Sequence, residues 1–320
     1  MPISWPPHWA AMFVRVECLP MGAGFLRFQW SVLVAALVCA LGASLAHASP
    51  KLTLIGDDDR GVVMRELAAK EQSPIKRSGE VYSLLVESAG LTLSSLAPGG
   101  GATAMADLLQ VTDIGLIVVD ATVGPSAAIR EHILIARQAR VPMLAMLMTN
   151  VVQLHADAPD EAAELLTLEI REIRELLSAY DLNGSTVGVY FDAQMPENVV
   201  GISAFGVRAS LRALSLFAPR RVRKADMGQV IDLWGAVYLL TQLEADGNAI
   251  GLAPNDTVTV WSEGTQATAT LRSVSQYRPG DYREMPFSMA APINGMEGSR
   301  ILLVRGDKVV GLGAITQVLR

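Results

Sequence analysis

The run Ile114–Asp120 (IGLIVVD) has no polar residue before its last position. Such a run, rich in β-branched residues, belongs in a strand covered on both faces. Residues 142–148 (PMLAMLM) form a second run of the same kind, and 126–139 between them carry helical spacing. The pattern extends to both sides. Strands are predicted at 51–55, 81–87, Leu91–Leu96 and 187–191, with the second and third of these paired. Helices are predicted at 62–69, 159–180 and 205–216. In the long one, Leu165, Leu166, Ile170, Ile173 and Leu177 mark the apolar stripe, and Asp157 is the candidate cap. Strand and helix in alternation imply a parallel sheet with right-handed crossovers and helices on both faces.

The pattern changes after Pro219. Strands are predicted at 235–243, 257–261, 267–274, 300–304 and 309–319. Asp246-Gly247-Asn248, Pro279-Gly280-Asp281 and Arg305-Gly306-Asp307 supply turns between them. Closely spaced short strands of this kind predict a small β-barrel.

Residues 25–48 read as a secretory signal. Arg27 leads an uncharged apolar core, and Ala46-His47-Ala48 is a small-x-small cleavage site. The apolar core is short for a span of about 20 residues, so cleavage before Ser49 is the first expectation and an uncleaved inner-membrane anchor the second. Met21 offers an alternative start. Both cysteines, Cys18 and Cys39, precede the cleavage point, so the exported chain has neither thiol chemistry nor a disulfide. The net charge of −6 loses one positive charge on cleavage and becomes about −7. That balance argues against nucleic-acid binding, which needs clustered cations. The single basic cluster, Arg220, Arg221, Arg223 and Lys224, reads as a solvated linker.

Several adjoining motifs share one likeness. Ile114–Asp120 leads through Ala121-Thr122-Val123-Gly124-Pro125 into Arg130-Glu131-His132-Ile133, and Val141-Pro142 opens the next strand. EIRELLSAYD follows at 172–181. Near the end stand Gly298-Ser299-Arg300 and GDKVVGLGAITQVLR at 306–320. Together these resemble the elongation factor Tu family of translational GTPases, in its G domain and its last barrel domain. The resemblance implies a P-loop GTPase-like three-layer α/β sandwich with a parallel sheet, followed by a small antiparallel β-barrel. It divides the chain into a signal segment or anchor (1–48), a degenerate G domain (49–217), a linker (218–225) and a barrel (226–320). The family's middle barrel has no counterpart here.

Set against that family, the nucleotide ligands are missing. A P-loop cradles phosphates with backbone amides, meets them with Lys, and holds Mg²⁺ with Ser or Thr. The matching stretch keeps Gly56, Asp59 and Gly61, but Val62 stands at the lysine position and Val63 at the Mg²⁺ position. Asp57 and Asp58 add negative charge; one like-charge pair at ~4 Å costs about 4 kcal/mol at an effective dielectric of about 20. In the second switch motif, Leu96 replaces an aspartate, Pro98 and Gly99 remain, and Gly100 occupies the family's catalytic histidine position. The guanine-reading motif aligns with Thr149 to Val152: Asn150 is kept and Val152 replaces the discriminating aspartate.

The resemblance and its departures imply an exported pseudo-GTPase, periplasmic or secreted, acting as a non-catalytic binding or structural module. No cofactor and no metal are expected, with GTP and Mg²⁺ as the alternative. The alternative function is a GTP-binding elongation-factor-like GTPase with residual activity. An unidentified protein is the expected partner, without tRNA, and the N-terminal segment offers membrane attachment. Of the remaining candidates, Asp57-Asp58-Asp59 read as solvated in preference to a Ca²⁺ site, and His132 as structural. His155 falls in a polar loop. Ser203 and Ser210 lack a G-x-S-x-G setting. Glu131 and Glu169 read as solvated helix positions, and Gly311-Leu312-Gly313 as packing.

Overall fold

The computed structural model describes residues 49–194, 199, 201–219 and 227–319. The signal segment, the basic cluster and most of the linker lie outside the described residues.

Strands β1 (Lys51–Gly56), β2 (Lys76–Ser78), β3 (Val81–Val86), β4 (Leu91–Leu96), β5 (Ile114–Asp120), β6 (Met143–Thr149), β7 (Gly188–Phe191) and β8 (Ile202–Phe205) form one sheet. Their order is β2-β3-β4-β1-β5-β6-β7-β8. From β4 to β8 every neighbouring pair is parallel, while β2 and β3 add an antiparallel edge. The sheet is therefore mixed and mostly parallel, where the strand and helix alternation alone predicts a parallel one.

The two-residue period of the strands divides the apolar side chains between two faces. Leu52, Leu54, Ile114, Leu116, Val118, Ala145 and Leu147 meet α1 (Arg60–Glu71) and α6 (Val207–Leu216). Ile55, Ile117, Val119, Met146 and Met148 meet α2 (Ala102–Gln110), α3 (Ala127–Gln138) and α5 (Ala162–Ala179). The central strands are buried over Ile114–Val119 and 145–149, as their continuous apolar runs require.

The helix predicted at 159–180 is α5, and a short helix that was not predicted, α4 (Val151–Asp157), precedes it. Asp157 ends α4, and Glu161 stands at the cap of α5. Pro159 explains the break, because it forces the preceding residue out of helical geometry. Ala158 has φ −140° and ψ 66°. His155 consequently sits on α4, not in a loop.

Strands β9 (Gly228–Leu239), β10 (Thr257–Ser262), β11 (Thr265–Leu271), β12 (Tyr282–Gly295), β13 (Arg300–Arg305) and β14 (Lys308–Leu319) close an antiparallel barrel in the order β10-β11-β12-β9-β14-β13. The run predicted at 235–243 begins earlier, at Gly228, and ends at Leu239. Gly313 lies against β9, where an added Cβ would stand 2.2 Å from the Ala236 carbonyl oxygen, so only glycine fits.

The barrel rests on α2 and α3. Trp261, 1% exposed, joins the cluster of those helices and donates from Nε1 to Asp107 at 2.7 Å. Gln138 Nε2 donates to the carbonyls of Ile301 at 2.7 Å and Gly313 at 3.0 Å. Glu131 accepts from Lys308 Nζ and from the Val309 amide, both at 3.0 Å. Glu131 is thus a barrel contact, contrary to the expectation of a solvated helix position.

Candidate functional site

The chain runs from β1 outward to one edge, returns to β4, and then crosses to β5 on the other side of β1. The carboxyl end of β1 is therefore a topological switch point, the usual ligand crevice of an open α/β sheet. The stretch aligned with the P-loop, Gly56 to Val63, occupies this crevice.

Gly56 ends β1 with φ +99°, and a Cβ there would stand 2.4 Å from the Val118 carbonyl oxygen. Its N–H donates to His132 Nδ1 at 2.9 Å. That nitrogen is unprotonated when it accepts. Burial, with Arg60 and Lys308 nearby, pushes the imidazole down to about 3. His132 thus ties α3 to β1, in keeping with a structural role.

The turn after Gly56 uses its own amides. Asp57 N–H donates to the Val118 carbonyl at 3.1 Å and Arg60 N–H to the Asp57 carbonyl at 3.2 Å. Gly61 N–H donates to the Asp58 carbonyl at 3.0 Å and Val63 N–H to the Asp59 carbonyl at 2.9 Å. Asp59 is already helical (φ −55°, ψ −17°), and α1 starts at Arg60, two residues before the predicted position of 62. A phosphate cradle needs such N–H groups turned outward and free. In this turn the Arg60, Gly61 and Val63 amides are consumed by early helix winding.

The carboxylates are engaged as well. Asp57 accepts from the Ser126 hydroxyl and, at 3.2 Å, from the Asp120 N–H. Asp59 Oδ2 accepts from Thr149 Oγ1 and Asn150 Nδ2, both at 2.9 Å. Asp192 Oδ2 accepts from the Asn150 N–H at 2.7 Å, and Asn150 takes φ +58°, a left-handed conformation that asparagine tolerates. Burial raises Asp57, offset in part by the Ser126 bond. Burial likewise raises Asp192. Burial also pulls Asp120 upward, but hydrogen bonds from Thr122 and Asn150 outweigh it and leave this group lowered. Hydroxyl, amide and backbone donors at the ends of β5 and β6 therefore point at the chain's own acids. Asp57 and Asp59 are partnered, where the sequence predicts solvated acids. Among the described residues no group of three or more His, Cys, Asp or Glu converges to hold a metal.

The other candidates scatter around this loop. Val63 is buried on the inner face of α1, whereas Val62 on the same helix is 41% exposed. Val152 is 55% exposed on α4. Pro98 and Gly99 follow β4 in a turn closed by the Gly100 N–H donating to the Ala97 carbonyl at 3.0 Å. A Cβ on Gly100 would meet the Leu96 side chain at 2.5 Å. Any larger residue at position 100 requires Leu96 to move.

Two features escaped the sequence reading. Glu169 on α5 is partly buried with Oε2 unpartnered, and burial, with Asp120 and Glu172 nearby, pushes it up to about 7. It is not a freely solvated helix position. Arg60, only 6% exposed, lines a cavity of about 470 Å³ between α1 and the β3–β4 edge. Tertiary approach of distant elements creates both environments, so neither leaves a local signature. Ser210 is buried with its hydroxyl on the Gly206 carbonyl at 2.9 Å, consistent with the absence of a nucleophile setting.

No model of a known protein family matches the chain.

Proposed function

We propose that this protein is an exported, non-catalytic relative of the elongation factor Tu GTPases whose nucleotide site is filled by its own side chains. One observation carries the reading: the P-loop-like turn commits the Asp57, Arg60, Gly61 and Val63 amides to backbone carbonyls while Asp57 and Asp59 take the donors around the crevice. The two carboxylates occupy the role of an anionic ligand. A polyphosphate would have to displace them, against the added charge of Asp120 and Asp192. It would do so without the Lys and Ser/Thr ligands, since Val62 and Val63 stand in their positions.

The persisting scaffold fits a binding or structural module with a protein partner. The barrel and the sheet layer are joined by buried bonds through Gln138, Trp261 and Glu131. The lack of a second barrel in the aligned order supports a role without tRNA. Residues 25–48 support export to the periplasm or beyond, with retention as an inner-membrane anchor as the competing outcome. Among the described residues no helix is long and apolar enough to cross a membrane.

Titration with mant-GDP and mant-GTP in the presence of Mg²⁺ tests the site. No saturable binding at micromolar concentrations is expected. Micromolar affinity with measurable GTP turnover would replace the proposal with the residual-GTPase reading. The mass of the mature N-terminus tests export: a chain starting at Ser49 is expected, and an intact start identifies the anchored form.

A further inference from the structure

We propose that the cavity between α1 and the β3–β4 edge is a binding site for a small amphipathic organic monoanion, a carboxylate on an apolar body. Its volume, about 470 Å³, lies in the range of small-molecule sites. Met64, Ile75, Leu96 and Pro98 supply apolar wall, and Tyr82 adds an aromatic ring over which Arg77 lies at 5.5 Å. Arg60, Arg65 and Asp58 bring charge.

Arg60 is the informative residue. Its Nε donates to the Asp57 carbonyl at 2.9 Å, and its Nη2 reaches Asp58 at a long 3.4 Å. Its Nη1 is buried without an acceptor. A guanidinium with one nitrogen buried and unpaired keeps an uncompensated charge behind the cavity wall, which an anion in the cavity offsets. Arg65 is exposed and forms no ion pair among the described residues. Asp58, whose side chain is 83% exposed, sits at the rim in solvent. Of the charged residues lining the cavity, Arg60 and Arg65 against Asp58 leave one net positive charge, to which Arg77 over Tyr82 adds from outside the lining, so the site favours an anion. A polyphosphate is excluded by the apolar wall and by the acids at the neighbouring crevice. Arginine also suits the planar carboxylate better than a point cation would.

The cavity shares Gly61 and Pro98 with the aligned nucleotide site, but the loss of nucleotide binding is tested separately, by mant-nucleotide titration. The test is photo-crosslinking of the full chain with an eight-carbon carboxylate carrying a diazirine, read by peptide mass spectrometry. Crosslinks are expected on peptides containing Met64 or Tyr82, competed by octanoate and not by octanol. Arg65→Glu, at an exposed position, is expected to reduce labelling about tenfold with an unchanged melting temperature. Scattered crosslinks, equal competition by octanol, or undiminished labelling of Arg65→Glu would each overturn the proposal.

Discussion

The Ser126 hydroxyl donates to the Asp57 carboxylate and, through the same oxygen, accepts the Ile129 N–H at 3.4 Å. One side chain thereby caps α3 and holds the β1–α1 turn. Ser126→Ala removes a helix cap, worth about 0.5–2 kcal/mol, and a hydrogen bond to a charged group, worth about 1.5–3 kcal/mol. The two losses share one atom and do not add fully. A net destabilisation of about 1–3 kcal/mol is expected, seen as a lower urea midpoint at unchanged slope.

On the proposed function, installing the P-loop ligands alone should not create nucleotide binding. Val62→Lys with Val63→Thr rebuilds the side-chain part of the P-loop. It leaves the Arg60, Gly61 and Val63 amides bonded to the carbonyls of Asp57, Asp58 and Asp59. It also leaves Asp57 and Asp59 at the mouth. Titration of the double variant with mant-GDP is expected to show no saturation at micromolar concentrations. Micromolar affinity would prove that side chains, and not the wound turn, close the site.

The parallel layer was legible because burial on both faces writes itself into composition. Ile114–Val119 has no polar residue, and the structure buries all six positions. The barrel was legible as a class from its turns, since Gly247, Gly280 and Gly306 all take positive φ. Strand β12 was not, because Pro286 and Pro292 argue against a long strand. The structure accommodates both. Pro286 stands opposite Trp234, and the register shift between Ser288 and Ile293 spans Pro292. The crevice was half legible. That Val62 and Val63 stand where the resembled family has Lys and Ser/Thr follows from the resemblance, but the pairing of Asp59 with Thr149 and Asn150 joins residues 90 and 91 positions apart. Only the sheet topology brings those together.

Acid should loosen the β1–α3 junction through His132. Its folded pKa of about 3 lies below the ordinary 6.5. The neutral ring therefore stabilises the fold above pH 6.5, and that contribution is lost as pH falls toward 3. The residue as a whole is half-buried, so the full effect is discounted to about 1–3 kcal/mol. His132→Gln retains an acceptor for the Gly56 N–H. Urea midpoints across pH 7 to 4 are expected to fall less steeply for this variant than for the natural chain.

Glu169 works in the opposite sense. Its folded pKa of about 7 lies above the ordinary 4.5. Its contribution is complete below pH 4.5 and is lost as pH rises through 7, where a carboxylate must sit partly buried near Asp120 and Glu172. Glu169→Gln keeps the shape and removes the charge. At pH 8 it should be more stable than the natural chain by about 1–2 kcal/mol after allowance for solvent screening. At pH 4 the two should melt together.

The junction between sheet layer and barrel gives the sharpest contrast between buried and exposed bonds. Gln138 is 3% exposed, and its amide nitrogen serves the carbonyls of Ile301 and Gly313, which face each other across β13 and β14. Gln138→Leu leaves two buried acceptors unsatisfied, at about 1–3 kcal/mol each. It also removes the unpartnered Oε1, which returns part of the loss. A net cost of about 2–4 kcal/mol follows. Arg140 crosses the same junction to the Gly298 carbonyl at 2.9 Å and to Glu263 at 3.6 Å, but the first bond lies in solvent and the second is long. Arg140→Ala should therefore cost less than about 1 kcal/mol. Hydrogen exchange distinguishes a local defect from separation of the layers. For Gln138→Leu, faster exchange is expected at the Trp261 indole N–H and along β13 together, because both lie against the same helices. Equal stability losses for the two variants would show that the junction draws its strength from its rim and not from the buried amide.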